Sequence, residues 1–71
     1  MEEEKINITV NGETHQFETN LLLLQLLEIL KFNPRLIALE YNGEILHRQY
    51  WDSTMVQDGD RLEVVTIVGG G

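Results

Sequence analysis

Three dipeptides that favour tight turns divide the chain into short runs of alternating residues. Asn11-Gly12 and Asn42-Gly43 can adopt the two positive φ angles of a two-residue β-hairpin, and Asp58-Gly59 is a third turn signal. At 71 residues the chain holds one domain. These turns therefore predict a small domain in which hairpins provide much of the sheet.

Alternation of apolar and polar residues predicts strands on both sides of each turn. Before the first turn the apolar side chains fall on every second residue, as in a half-buried strand: Ile6, Ile8 and Val10. Further strands are predicted over residues 14–18, 36–41 and 44–46. Residues 47–57 have no clear period and predict a loop with a helical turn near Trp51.

The last predicted strand covers residues 61–68 and is apolar on both of its faces. Leu62, Val64 and Val68 share one face, while Val65 and Ile67 lie on the other. Apolar residues on both faces are typical of a central strand that is covered on both sides, or that is covered by a partner.

One helix is predicted between the two hairpins. Its apolar residues recur at helical spacing, at Leu23, Leu26, Leu27 and Leu30. Thr19 or Asn20 can cap the first free amides, and Pro34 ends the helix. The resulting order of elements predicts an α+β fold of the β-grasp, or ubiquitin-like, type. A mixed sheet of four to five strands packs on one main helix, and residues 1–71 form one domain with a flexible tail at 69–71.

The charge of the chain excludes several classes of partner. Lysine and arginine number 5 against 12 aspartates and glutamates, which gives a formal charge of −7. Nucleic acid and anionic membrane surfaces repel such a chain, whereas a basic protein attracts it. The apolar stretch at residues 21–30 is too short to span a bilayer, and the acidic opening residues do not fit a signal peptide. These features predict a cytoplasmic protein.

The side chains that carry catalysis are too few and too scattered for an active site. Ser53 is the only serine, His15 and His47 lie on separate segments, and the chain has no cysteine. Two distant histidines match no zinc-binding spacing. We therefore expect no catalytic residues, no metal site and no bound cofactor.

The chain closes with three glycines, Gly69, Gly70 and Gly71. A cloning remnant or an incidental frayed end is the simpler interpretation. The functional interpretation is that a tail without side chains threads a narrow channel in another enzyme. That enzyme would use ATP to convert the carboxylate of Gly71 to an acyl adenylate, and a sulfur or amine nucleophile would then displace AMP. Since the chain has no cysteine, any sulfur that it carries would form a thiocarboxylate on Gly71.

Several motifs together resemble one family of small carriers. They are Asn42-Gly43-Glu44, Arg48, Trp51, the run Asp58-Gly59-Asp60-Arg61-Leu62-Glu63-Val64-Val65 and the end Val68-Gly69-Gly70-Gly71. This pattern resembles the sulfur carriers of thiamine biosynthesis, the ThiS family. The Asn-Gly turns are common in β proteins, whereas the Asp-Gly-Asp turn before a strand that ends in glycines is more specific.

The resemblance implies a noncatalytic protein whose C-terminal glycine is modified. A ThiF-like enzyme would adenylate Gly71, a cysteine desulfurase or another donor would supply sulfur, and a ThiG-like thiazole synthase would receive it. Gly69 and Gly70 correspond to the threading tail. We add Val65, Ile67 and Val68, next to that tail, as the surface that contacts partners.

Three other functions fit the same sequence. The small subunit of molybdopterin synthase is also a β-grasp carrier with a Gly-Gly end. A ubiquitin-like modifier would join its terminus to lysines of target proteins. A plain interaction domain would not need its last glycines.

Overall fold

The first hairpin follows from the alternation and from the first Asn-Gly turn. In the computed structural model, which describes residues 5–67, β1 (Ile6–Val10) pairs antiparallel with β2 (Glu13–Phe17). Asn11 and Gly12 join them with φ angles of 51° and 85°. Both turn residues therefore have the positive φ that the dipeptide predicts.

The remaining elements are short. The helix α1 spans Leu23–Ile29, and two 3₁₀ helices span Pro34–Leu36 and Arg48–Ser53. The other strands are β3 (Leu21–Leu22), β4 (Ile37–Tyr41), β5 (Glu44–Ile45), β6 (Met55–Val56) and β7 (Arg61–Thr66). No helix among residues 5–67 is both long enough and apolar enough to cross a bilayer.

Five strands form one mixed sheet in the order β2-β1-β7-β4-β5. The last strand, β7, lies at the centre, parallel to β1 and antiparallel to β4. The helix packs on one face of this sheet. This is the predicted β-grasp fold, with the first and last strands side by side.

The start of the helix differs from the prediction. Thr19 and Asn20 do not cap it; the N-cap residue is Leu22, whose backbone N–H donates to Oε1 of Gln25 at 3.0 Å. The reason is the small ladder in which Leu21 and Leu22 pair with β6, because it keeps them extended up to the first helical residue. Residues 47–57, predicted as a loop with a helical turn, contain β6 as well as the 3₁₀ helix around Trp51.

The helix also ends earlier than Pro34. Lys31 has a φ of 67°, and its N–H donates to the carbonyl of Glu28 at 3.0 Å. The N–H of Phe32 donates to the carbonyl of Leu27 at 2.9 Å. These two bonds form a Schellman motif, which reverses the chain with a left-handed lysine in the place of the usual glycine. Pro34 instead begins a 3₁₀ helix.

The core lies between the helix and the inner face of the sheet. Leu23, Leu26 and Leu27 are fully buried, as their spacing predicts, while Leu30 is half-buried. The five-stranded sheet, β6 and the second 3₁₀ helix contribute the other buried residues: Ile6, Ile8, Val10, Ile37, Leu39, Trp51, Val56, Leu62 and Val64. The core therefore joins side chains from both halves of the chain.

Candidate functional site

The central strand, β7, directly precedes the predicted tail in the sequence. β7 ends at Thr66, and Ile67 is the last described residue. The N–H of Ile67 donates to the carbonyl of Leu36 at 2.6 Å. Val68, Gly69, Gly70 and Gly71 lie outside the described residues. The described chain therefore ends at Ile67, which is hydrogen-bonded to the residue that precedes β4.

Val65 and Ile67 lie on the face of the sheet opposite the helix. Their side chains are 61% and 46% exposed. Val65 stands directly opposite Ala38 on β4, and Ile45, at 68% exposed, stands opposite Glu40. We call Ala38, Ile45, Val65 and Ile67 the outer apolar face. Residue alternation predicted that Val65 and Ile67 share the face opposite Leu62 and Val64, but it missed Ile45, because a strand of two residues shows no period.

The outer apolar face is next to a shallow groove at the edge of the sheet. Ala38, Ile45 and Ile67 line this groove together with His47 and Arg48. The Arg48 guanidinium lies 4.7 Å from the centre of the Trp51 ring and donates to the carbonyls of Pro34 and Ile37. The Trp51 indole N–H donates to the carbonyl of Leu46 at 2.8 Å. Of these two residues of the sequence motif, Arg48 thus binds the second 3₁₀ helix to β4, and Trp51 binds it to the residue after β5.

The Asp-Gly-Asp turn before β7 is hydrogen-bonded to both neighbouring strands, β1 and β4. Asp58 Oδ1 accepts the N–H of Asn7 at 2.8 Å, and the N–H of Gly59 donates to the Asn7 carbonyl at 2.9 Å. Asp60 Oδ2 accepts the N–H of Gln57 at 2.8 Å and the hydroxyl of Tyr41. One aspartate of the turn therefore binds β1, and the other binds the end of β4.

The phenol of Tyr41 is partly buried beside Asp60. Burial, and secondly the hydrogen bond to the Asp60 carboxylate, raises the pKa of Tyr41 above its ordinary value. The neutral phenol is the form that can donate to Asp60. This part of the site is therefore structural, since it anchors the turn that precedes β7.

Two asparagine side chains add hydrogen bonds to β7 beyond those of the backbone ladders. Asn11 Oδ1 accepts the N–H of Val64 at 2.7 Å, and Asn42 Oδ1 accepts the N–H of Arg61 at 2.8 Å. The backbone N–H groups of the same asparagines donate to the carbonyls of Leu62 and Arg61 at 2.9 Å and 2.8 Å. From the sequence, both asparagines were predicted only to form turns. The choice of Asn over Gly at the first turn position was the available signal, because glycine has no acceptor.

The described residues form no constellation typical of catalysis. Among residues 5–67 no three metal-binding side chains come together. The Ser53 hydroxyl donates to the carbonyl of Tyr50 at 3.3 Å, which is a turn contact. A depression of about 610 Å³ is lined by Lys5, Ile6, Thr19, Asn20, Gln57 and Asp58 and contains no histidine.

Comparison with known proteins gives a consistent set of matches. The model of the ThiS family matches residues 8–71. The crystal structure of a thiamine biosynthesis protein, ThiS, from Geobacter metallireducens superposes with a TM-score of 0.80 at 38% identity and covers 93% of this chain and 100% of that chain. The uncharacterized protein ycf40 of Porphyra purpurea is 42% identical over 66 residues, which are 93% of both chains.

A longer relative contains a similar segment. A thiazole synthase of Paramagnetospirillum magneticum is 35% identical over 66 residues. Those residues are 93% of this chain and 20% of the synthase, so this chain spans about a fifth of that relative's length.

Proposed function

The chain belongs to the ThiS family, and from this premise we propose that it is a noncatalytic sulfur carrier of thiamine biosynthesis. The observation that carries the proposal is the match of the ThiS family model, which runs through the core and on to Gly71. The similarity to a ThiS protein of known structure over the whole length of that protein supports the same function.

Gly71 is the residue that we propose to be modified. A carboxylate is a poor electrophile, so a ThiF-like enzyme joins the Gly71 carboxylate to the AMP part of ATP and releases pyrophosphate. Hydrosulfide then attacks the acyl carbon and displaces AMP, which leaves a thiocarboxylate. A persulfide of a cysteine desulfurase can take the place of hydrosulfide: its terminal sulfur displaces AMP to form an acyl disulfide, and a second thiol cleaves this bond, which leaves the thiocarboxylate and a disulfide between the two thiols. Another donor would supply hydrosulfide directly. The carrier itself has no cysteine on which to hold sulfur.

In this proposal the tail and the outer apolar face contact different parts of the adenylating enzyme. Gly69 and Gly70 thread the channel of the adenylating enzyme, because residues without side chains fit where others do not. Val65, Ile67 and Val68 contact the enzyme surface around the channel entrance. The exposure of Val65 and Ile67 directly before the tail supports this assignment.

A ThiG-like thiazole synthase is the proposed receiver of the sulfur. The thiazole synthases of Paramagnetospirillum magneticum and Magnetococcus marinus contain a segment similar to this chain within a much longer protein. Joining of the two activities in one chain favours thiazole formation over the molybdopterin pathway for this carrier. We propose that the exchange takes place in the cytoplasm, where the ThiF-like enzyme finds ATP.

Intact-mass spectrometry tests the modification directly. The chain is incubated with ATP, a ThiF-like enzyme and a sulfur donor, and the expected product is heavier by the replacement of one oxygen with sulfur. A variant that lacks Gly70 and Gly71 is the negative control, and its circular dichroism is compared with that of the full chain to show that it folds. Sulfur gained by the shortened variant, or a mature chain that extends past Gly71, would contradict the proposal.

A second measurement separates the related functions. The thiocarboxylate form is mixed in turn with a ThiG-like synthase and with the large subunit of molybdopterin synthase, and loss of sulfur is followed by mass. Transfer only to the latter would assign the carrier to the molybdopterin pathway. Ladders of heavier conjugates in cells would indicate a ubiquitin-like modifier, and full function without the last glycines would indicate a plain interaction domain.

A further inference from the structure

Two glutamates face each other across the outer side of the sheet. Glu40 on β4 and Glu63 on β7 are direct partners in the antiparallel ladder, so their side chains leave the same face. Both are exposed, and among residues 5–67 no lysine or arginine nitrogen lies within 4.0 Å of either carboxylate. Arg61 shares a shallow pocket with them without forming an ion pair. Like charges in directly opposite positions destabilise a sheet.

Two exposed apolar residues, Ile45 and Val65, adjoin the glutamate pair. Ile45 stands opposite Glu40 on the other side of β4, and Val65 follows Glu63 on the same face of β7. A partner that covers Ile45 and Val65 must also remove water from the two carboxylates. Such removal is costly unless the partner supplies opposite charge.

We propose that this part of the outer face receives a basic side chain, arginine or lysine, of the adenylating enzyme, set among apolar residues that cover Ile45 and Val65. This inference rests on the proposed function and specifies the chemistry of the partner. The cation relieves the repulsion between Glu40 and Glu63, so the pair favours the complex over the free carrier. Arginine suits the position best, because its planar guanidinium can bind two carboxylates at once.

The charges exclude other occupants of this face. In a symmetric dimer the same surface meets itself, which would bring the four carboxylates of two Glu40 and two Glu63 residues together with two Arg61 side chains, and so leave an excess of negative charge. Nucleic acid and anionic lipid would meet the same repulsion, in a chain with a net charge of −7. A basic protein surface is the occupant that the charge of this face complements.

Neutralisation of one glutamate gives opposite effects on the free carrier and on the complex. For Glu63→Gln we expect the unfolding equilibrium constant to fall about two- to fivefold, because the repulsion is removed. We expect the dissociation constant for the purified ThiF-like enzyme to rise about tenfold. Glu63→Lys, which can pair with Glu40 within the carrier, should weaken binding further. Glu28→Gln, an equal charge change on the exposed side of the helix, should alter the dissociation constant by no more than about twofold.

The outcomes separate this inference from the proposed function. Wild-type carrier that is adenylated, with Glu63→Gln binding as tightly as Glu28→Gln, would contradict the inference alone. Wild-type carrier that neither binds the enzyme nor is adenylated would contradict both. A dimer of the free chain that sedimentation detects, and that Glu63→Lys changes, would assign the face to a second copy and would also overturn the inference. The inference is supported if Glu63→Gln has a lower unfolding equilibrium constant and a higher dissociation constant for the enzyme than the wild type.

Discussion

Side chains of single residues hold the central strand where the backbone ladder ends. β1 is paired with β7 through Thr9–Arg61 and Val10–Leu62, and the next donor on that side of β7, the N–H of Val64, is bound by the side chain of Asn11. Asn42 binds the other side of β7 near its start. An asparagine in a hairpin turn therefore does two things at once, because it tolerates positive φ and carries an acceptor.

Replacement of Asn11 separates these two properties. Asn11→Gly keeps the positive φ but loses the acceptor for Val64, and we expect the free energy of unfolding to fall by about 1–2 kcal/mol. Asn11→Asp keeps both properties and should lose clearly less. Urea unfolding followed by the fluorescence of Trp51, the single tryptophan, measures both variants. Equal losses in the two variants would show that the acceptor does not matter.

The raised pKa of Tyr41 gives the protein a specific alkaline weakness. Below a pH of about 10 the phenol is neutral in both the folded and the unfolded chain, and its contribution to stability is fully present. Above that pH the unfolded chain releases the proton first, so the free energy of unfolding falls as pH rises towards the higher folded pKa.

Tyr41→Phe tests this pH dependence. The variant loses the hydrogen bond to Asp60 and should be less stable at neutral pH by about 1 kcal/mol. Its stability should decline less steeply above about pH 10 than that of the wild type. Tyr50→Phe, at an exposed tyrosine, is the matched control and should keep the wild-type slope. Identical slopes for wild type and Tyr41→Phe would contradict the assignment.

At the scale of elements, a two-residue ladder sets where the helix starts. Because β3 pairs with β6, Leu22 is extended and its N–H needs a partner from within the helix, which Gln25 provides. This arrangement also ties the helix to the segment after the second 3₁₀ helix, since the N–H of Leu23 donates to the carbonyl of Thr54 at 2.8 Å. The helix and the second half of the chain are thus joined at one point.

Loss of this helix-start bond should be measurable. Gln25→Ala removes the acceptor for the Leu22 N–H, and we expect the free energy of unfolding to fall by about 1 kcal/mol despite the higher helix propensity of alanine. Gln49→Ala, at an exposed glutamine of the second 3₁₀ helix, is the control and should change stability by less than about 0.5 kcal/mol. Thermal unfolding by circular dichroism compares the two. Equal midpoints would mean that the ladder alone sets the helix start.

At the scale of the whole molecule, the net charge should govern the rate and strength of association. With −7 on a chain of 71 residues, a basic partner surface is attracted over distances that salt then screens. Raising sodium chloride from about 0.1 M to about 1 M shortens the screening length from about 10 Å to about 3 Å. We expect the dissociation constant for the ThiF-like enzyme to rise at least about tenfold.

Calorimetric titration at several salt concentrations checks this expectation. The unfolding midpoint of the free carrier, measured at the same concentrations, controls for effects of salt on folding. A dissociation constant that does not change with salt would indicate that apolar contact through Val65 and Ile67 dominates the interface instead.

The sequence by itself determined the features that depend on neighbours along the chain. Turn dipeptides, alternation and helical spacing predicted the hairpins, the inner face of the helix and the β-grasp order of elements, because each reports local geometry. The common face of Val65 and Ile67 followed from alternation in the same way, whereas their exposure came from the structure. The tail at 69–71 was predicted from the three glycines and from the resemblance to the family, and it lies outside the described residues.

Tertiary structure alone decided which distant groups meet. The β3–β6 ladder, the bonds from Asn11 and Asn42 to β7, and the opposition of Glu40 and Glu63 join residues far apart in the chain. A period of two shows which face a side chain occupies, but it does not show which residue lies opposite on another strand. That register is fixed when the turns and the shared core lock the strands together, and it places the two glutamates on the face that we propose for the partner.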